Sequence, residues 1–455
     1  MTTEALSSLS LLEDEYIFNM AEVSLPLPNK KTRNICALII FSFFFELPLV
    51  EFTQYDRLNP RLFDLALILA LFNVRWSINR ANSVVLSWEL LTATFVFSAI
   101  VSFALLVPIK YGLYSLFFGF KYIECLLALW ILTGIQWTRE DILYFLKAAN
   151  LGIIVAGTWG FLQFLGYLPQ ERYLPTGEKI VTQEGVILAT FGSTYFHSGF
   201  MGAAGAGICL LLMLKKAFPI YLTVPGVFFG LFLALFSGSR SALVMALIII
   251  GSIVFRNTKH LVISVVCFFF LLLANPVIDY IKTNSLTFKR LEEGGASTVE
   301  GRISANYLDL VPIYWETHGA KLLAVGGGFY VVPLPNSSGE LKYRIGYGLH
   351  NIHFFPLEQA GVLAFLFSIY FWFIVFKKCI ENYRKNEFAP LGVGLAISIF
   401  IVGWFGQIFF FGFGTENMVV FQVIMIALLL HGSTETPKNN LLSKKYHNIR
   451  LFNFQ

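Results

Sequence analysis

Apolar runs about as long as a bilayer's hydrocarbon core is thick, roughly 20 residues each, recur along this chain and leave few folds open to it. Twelve such runs lie at approximately 34–50, 62–77, 83–107, 115–137, 142–167, 194–214, 219–236, 240–256, 260–280, 351–376, 389–411 and 416–431. The second and eighth are short. Hydrophobic residues make up 56% of the chain and charged residues only 13%, against roughly 25% charged in a soluble domain. The sequence therefore predicts an all-α polytopic membrane protein of about 12 transmembrane helices. The net charge of +5 does not point to nucleic acid, because the cations are spread over loops with no basic-aromatic platform.

Lysine and arginine place the loops. If the N-terminus is cytoplasmic, the inner segments collect Lys30, Lys31, Arg33, Arg75, Arg80, Arg139, Lys147, Lys215, Lys216, Arg256, Lys259, Lys377, Lys378, Arg384 and Lys385. The short outer loops hold only Arg57, Arg61, Lys110, Arg172, Lys179 and Arg240. That asymmetry assigns both termini to the cytoplasm. Residues 1–33 are expected as a cytoplasmic tail, since the acidic start lacks the basic n-region and compact apolar core of a signal peptide. Residues 432–455 are expected as a second tail. The five cysteines are isolated, so neither a disulfide frame nor a zinc site is suggested.

Spans one to nine occupy 34–280 and spans ten to twelve 351–431. The outer segment 168–193 is too long for a simple connector. The larger segment 281–350 contains an expected amphipathic helix, 300–317, in which Ile303, Tyr307, Leu310, Val311 and Tyr314 repeat at helical spacing. Gly326-Gly327-Gly328, Pro333, Pro335 and Asn336-Ser337-Ser338-Gly339 then read as loop. Loops of this length are functional or disordered, and the aromatic content of this one favours function.

Three residues stand out as chemistry. Arg240, in Gly238-Ser239-Arg240-Ser241-Ala242, sits at the outer end of span eight among small residues that leave room for a ligand. Its planar fork suits phosphate, although a snorkelling anchor fits the position equally well. Arg302 opens the amphipathic helix, where it is either a surface arginine or an anion ligand. His350, at the mouth of span ten, is either an interfacial histidine or a proton acceptor with a pKa near the usual value of about 6.5. His353 lies one turn on, and a carboxylate as deep as Glu358 needs a partner. Lys121 and Glu124, spaced i, i+3, are expected to pair. Glu46, Glu51, Glu416 and Asn417 could line a cavity or be explained by packing and solvation. No phosphate-binding glycine loop and no metal-ligand cluster is present in the sequence.

The order Gly238-Ser239-Arg240-Ser241-Ala242, Gly301-Arg302, Gly326-Gly327-Gly328 and His350-Asn351 with Gly361 downstream resembles the O-antigen ligase/polymerase superfamily of bacterial membrane enzymes. Ala364 stands where many members have a second glycine. The resemblance implies a metal-independent, cofactor-free glycosyltransferase of the C type in the inner membrane, with a periplasmic active site. Its donor would be an undecaprenyl-diphosphate-linked glycan. Its acceptor would be another glycan in a polymerase, or lipid A-core in a ligase, and a chain-length regulator would be a further partner. The arginines matching Arg240 and Arg302 would hold the diphosphate and His350 would assist transfer. Ser239, Ser241, Asn351, Tyr307, Trp315 and Glu358 are the expected substrate-binding residues. A polytopic transporter is the competing class, disfavoured here because the polar candidates gather at the outer face rather than at midplane.

Overall fold

The computed structural model describes residues 25–50, 59–101, 103–104, 109–169, 171–173, 179–181, 187–191, 195–256, 283–285, 312, 315–316, 319–326, 331–335, 341–345, 351–404 and 416–431. The expected ninth span, 260–280, lies outside them, as does the amphipathic helix 300–317 apart from residues 312, 315 and 316. The helices are α1 (Lys30–Ser42), α2 (Leu62–Asn73), α3 (Ser83–Val101), α4 (Ile109–Thr133), α5 (Arg139–Phe164), α6 (Tyr195–Leu214), α7 (Ile220–Phe236), α8 (Arg240–Val254), α9 (Ala320–Val325), α10 (Phe355–Asn382), α11 (Ala389–Val402) and α12 (Glu416–His431). Their starts carry the expected caps. Asn29 Oδ1 accepts the Thr32 N–H at 2.8 Å, and Thr138 and Asp141 bond reciprocally at the head of α5.

The chain is a helical membrane protein. Among the described residues four helices are long and apolar enough to cross a bilayer, at 83–101, 139–164, 197–214 and 355–382. Twelve crossing helices are not shown among the described residues, although α4 has 25 residues. Five further apolar helices have 10–17 residues, and α1 has only 13. The first run was read as 34–50, yet α1 ends at Ser42 and residues 43–50 are unwound. The eleventh was read as 389–411, yet α11 ends at Val402. Apolar runs mark what is buried in lipid or protein, but they do not require one unbroken helix.

One end of the bundle is tied together by polar contacts. Lys31 Nζ donates to Asn73 Oδ1 at 2.7 Å, and Arg33 pairs with Asp141 at 3.7 Å. Glu387, between α10 and α11, accepts from Arg139 and, at 2.8 Å, from Lys215. Arg256 Nη1 donates to Asn386 O at 2.8 Å, and Asn386 Nδ2 donates to Leu429 O at 2.7 Å. The segments that the charge count grouped on one side of the membrane do meet at one end. Burial alone would raise the Glu387 pKa, but its bonds to Arg139 and Lys215 hold it below the usual carboxylate value.

At the opposite end two short hairpins form, β1 (Glu171–Tyr173) with β2 (Lys179–Val181) and β3 (Val331–Pro335) with β4 (Leu341–Ile345). The second corrects the loop reading at Pro333 and Pro335, which lie in β3. Its two prolines are accommodated because a two-stranded hairpin has free edges. The expected tenth span, 351–376, is also altered. It is a short helix, 355–360, followed by a long one, broken at Gly361 with φ +82° and ψ −173°. The break returns the chain on itself, since the His353 and Trp372 rings come within 6.4 Å. The α9 terminus packs into the break, with Gly326 against the backbone of Gln359 and Ala360. Ser98 Oγ of α3 lies 2.7 Å from Val325 O and 2.9 Å from Gln359 O, and can donate to either.

The break and the knot each make a prediction. A Cβ at Gly361 would lie 2.7 Å from Ala324 O on a backbone conformation essentially reserved for glycine. Gly361→Ala should therefore cost about 1–3 kcal/mol, read as a lower Tm in detergent. The loss should exceed that of Gly166→Ala, whose new Cβ meets open space. Because the folded pKa of Glu387 is depressed, its stabilisation is present above the unfolded value of about 4.3 and is lost as pH falls through the folded value. Acidification across that window should lower the Tm of the wild type more than that of Glu387→Gln.

Candidate functional site

Arg240 is the first residue of α8, and its neighbourhood is built from small polar groups. Ser237, Gly238 and Ser239 are buried, while Arg240 and Ser241 are half-buried. Ser239 is the N-cap. Its hydroxyl accepts the Ala242 N–H at 3.4 Å, and its own N–H donates to Ser237 Oγ at 3.2 Å. A guanidinium at a helix N-terminus among hydroxyls suits an anion, because the helix end adds its own positive potential.

The contacts of α8 with α11 set the level of this mouth. Ser252 Oγ donates to Pro390 O at 2.7 Å, and a Cβ on Gly394 would meet Ile249. The two helices therefore run antiparallel, and the Arg240 end of α8 lies beside the Val402 end of α11. Asn351 docks at that same end. It is fully buried, with Nδ2 donating to Trp404 O at 3.4 Å and Oδ1 accepting from His353 N at 2.8 Å and Phe354 N at 3.3 Å. The Ile352 N–H donates to Gly403 O at 2.9 Å. Asn351, expected to bind substrate, holds the turn that leads into α10. His353 Nε2 lies 3.1 Å from Phe400 O, and its ring packs on Phe400 and Trp404.

Glu358 is buried in the first turn of α10, and Trp315 is exposed. His350, Arg302 and Tyr307 lie outside the described residues. The structure thus places the Arg240 motif and Asn351, which are more than 100 residues apart in sequence, at the same end of the bundle.

Sequence reasoning missed a buried group next to this mouth. Glu46 was read as lining a cavity or as explained by packing and solvation, Arg61 was counted as an outer-loop cation, and His197 drew no notice. Arg61 is buried at the head of α2 and pairs with Glu46 at 3.7 Å. His197 Nε2 lies 3.2 Å from the same carboxylate, and both side chains are almost fully enclosed. The unwound segment after α1 makes this possible, as Pro48 bridges to Arg61 and the Glu46 N–H donates to Thr190 O at 3.1 Å. Ser198 Oγ then donates to Ile187 O at 2.7 Å, and Ile187 N donates to Phe236 O at 3.3 Å, one residue before Ser237. The available signal was a lone histidine within an apolar span, where an ionisable group needs a partner.

Asn351→Ala removes three bonds from a fully buried site and leaves backbone groups unsatisfied. The expected cost is about 1–3 kcal/mol, measured as a lower Tm of the purified protein in detergent. Comparison with models of known protein families and with curated proteins gives no match.

Proposed function

We propose that this chain is a membrane glycosyltransferase that joins undecaprenyl-diphosphate-linked repeat units into a surface polysaccharide. The observation that carries this reading is the arginine at the head of α8, in a run with Ser237, Ser239 and Ser241, at the same end of the bundle as the Asn351 turn. On this reading that end faces the periplasm and the charged, interlinked end faces the cytoplasm.

The chemistry follows from the residue types. An acceptor hydroxyl attacks sugar C1 as the bond from C1 to the diphosphate oxygen breaks. The bonding pair leaves on that oxygen, and the configuration at C1 inverts. Arg240, joined by Arg302, stabilises the charge that builds on the diphosphate, and does so most strongly in a desolvated site. His350 takes the hydroxyl proton. Apolar helices hold the polyprenyl chain, and Trp315 offers a sugar-stacking face.

An O-antigen ligase uses the same donor and differs only in its acceptor. A specific observation also favours the transporter as a further reading. Half-length helices and buried ion pairs occur well inside the bundle, as they do in transporter binding sites.

The test is the surface glycan of a strain lacking the gene, with undecaprenyl-linked material detected separately. Single repeat units in place of long chains are the expected result. Long chains stranded on undecaprenyl would indicate the ligase, and normal attached glycan would favour the transporter. Complementation with Arg240→Ala should reduce transfer by about 10²–10³-fold, the usual cost of removing one transition-state charge stabiliser.

A further inference from the structure

Two lysines at the charged end of the bundle have no acidic partner among the described residues. Lys147 lies eight residues into α5, about 12 Å along its axis at 1.5 Å per residue. Its side chain is half-buried, and its Nζ sits 5.7 Å from the centre of the Phe218 ring, in the turn between α6 and α7. Lys216 is exposed two residues before that ring. The acids at this end are taken up by other cations: Asp141 by Arg33, Glu381 by Lys378, and Glu387 by Arg139 and Lys215. Glu140, exposed in the first turn of α5, pairs with neither lysine.

Lys216 is also held in an unusual backbone conformation. Its φ is +51°, its N–H donates to Met213 O at 3.0 Å, and the Ala217 N–H donates to Leu212 O at 3.0 Å. This is a helix C-cap whose left-handed position is most often glycine. A lysine there bears a strain that glycine would avoid. Packing does not offset it, because the side chain is exposed. What the position gains from lysine is its charge.

Both lysines stand at the head of a membrane-facing surface. α5 is long and apolar enough to cross a bilayer. α7 runs beside it in the same direction: Asn150 Nδ2 donates to Leu222 O at 3.4 Å, and Gly157 and Gly160 pack on Phe229 and Leu233. Leu151 and Val155 follow Lys147 on α5 at helical spacing and are exposed, as are Val224 and Phe228 at the same levels of α7. A cation at the start of such a surface reaches headgroup depth, where a lipid phosphate is the available counter-ion.

We propose that Lys147 and Lys216 bind the phosphate of an anionic phospholipid whose acyl chains lie over Leu151, Val155, Val224 and Phe228. The headgroup is one without an amine, because a choline or ethanolamine cation would be repelled by both lysines. The inference rests neither on the transferase reading nor on which leaflet this end faces.

Native mass spectrometry of the full chain, delipidated in neutral detergent, tests it. The probes are phosphatidylglycerol, phosphatidylcholine and free glycerophosphate. The wild type should retain phosphatidylglycerol in preference to the other two. Lys147→Gln and Lys216→Gly should each weaken that retention about fivefold. Lys385→Gln, at the same end but on the α10–α11 turn, should leave it unchanged. Lys216→Gly should also keep or raise the Tm without lipid, since it relieves the left-handed strain, which separates lost binding from misfolding. Equal retention of phosphatidylcholine, an equal loss in Lys385→Gln, or unchanged retention in Lys216→Gly or in an assembled Lys147→Gln would overturn the proposal. Equal retention of glycerophosphate would assign a free phosphate site and overturn the lipid. Should Lys147→Gln fail to assemble, Lys216→Gly decides the matter alone.

Discussion

In a bilayer every backbone N–H and C=O must find its partner within the protein, because hydrocarbon offers none. This structure depends on how it meets that demand, since it repeatedly breaks its helices inside the bundle. α1 stops at Ser42, α2 starts at Leu62, α10 reverses at Gly361 and α11 stops at Val402. Each break is closed by a named group. Thr190 Oγ1 donates to Phe44 O, Pro48 bridges to Arg61, Ser98 serves the carbonyls at the α10 reversal, and Asn351 closes the space between the α10 turn and Trp404. The polar residues scattered through the apolar runs are in large part these closures.

The same breaks create the chemistry. An unbroken first span would have left Glu46 without a reason to be enclosed. Unwinding after Ser42 brings it instead against Arg61 and His197. Removing one partner of such a buried pair leaves an uncompensated charge, which costs about 3–5 kcal/mol. Such groups therefore hold the helices in one arrangement as well as offering charge. At the other end of the bundle Glu387 plays a simpler role, joining α5 and α6 to the α10–α11 turn through Arg139 and Lys215.

Much of the helical layout was legible in the sequence. α6, α7, α8 and α12 begin and end within two residues of their apolar runs, because run length and helix length coincide where a helix is unbroken. The grouping of charged segments at one end was legible too, since lysine and arginine are costly to move across a membrane. The site was legible only in part. Arg240 stood out because a cation among glycine and serine is unusual at a helix head. Asn351 stood out by its motif but not by its work, which depends on Trp404, a residue more than 50 positions away. The Lys121–Glu124 pair could be read from its i, i+3 spacing. Asp64, which meets the same lysine at 3.6 Å, could not.

What the sequence determined by itself was that the chain must live in a membrane, roughly where its helices lie, and which segments share a charged end. These follow from local patterns: run length, caps and the placement of cations. Only the tertiary structure decided where the helices break and which ionisable side chains meet. Those outcomes depend on contacts between distant segments, such as Asp64 with Lys121 and Glu46 with His197. In an interior that cannot solvate an unpaired charge, where a side chain can sit is set by the partner that the fold brings to it.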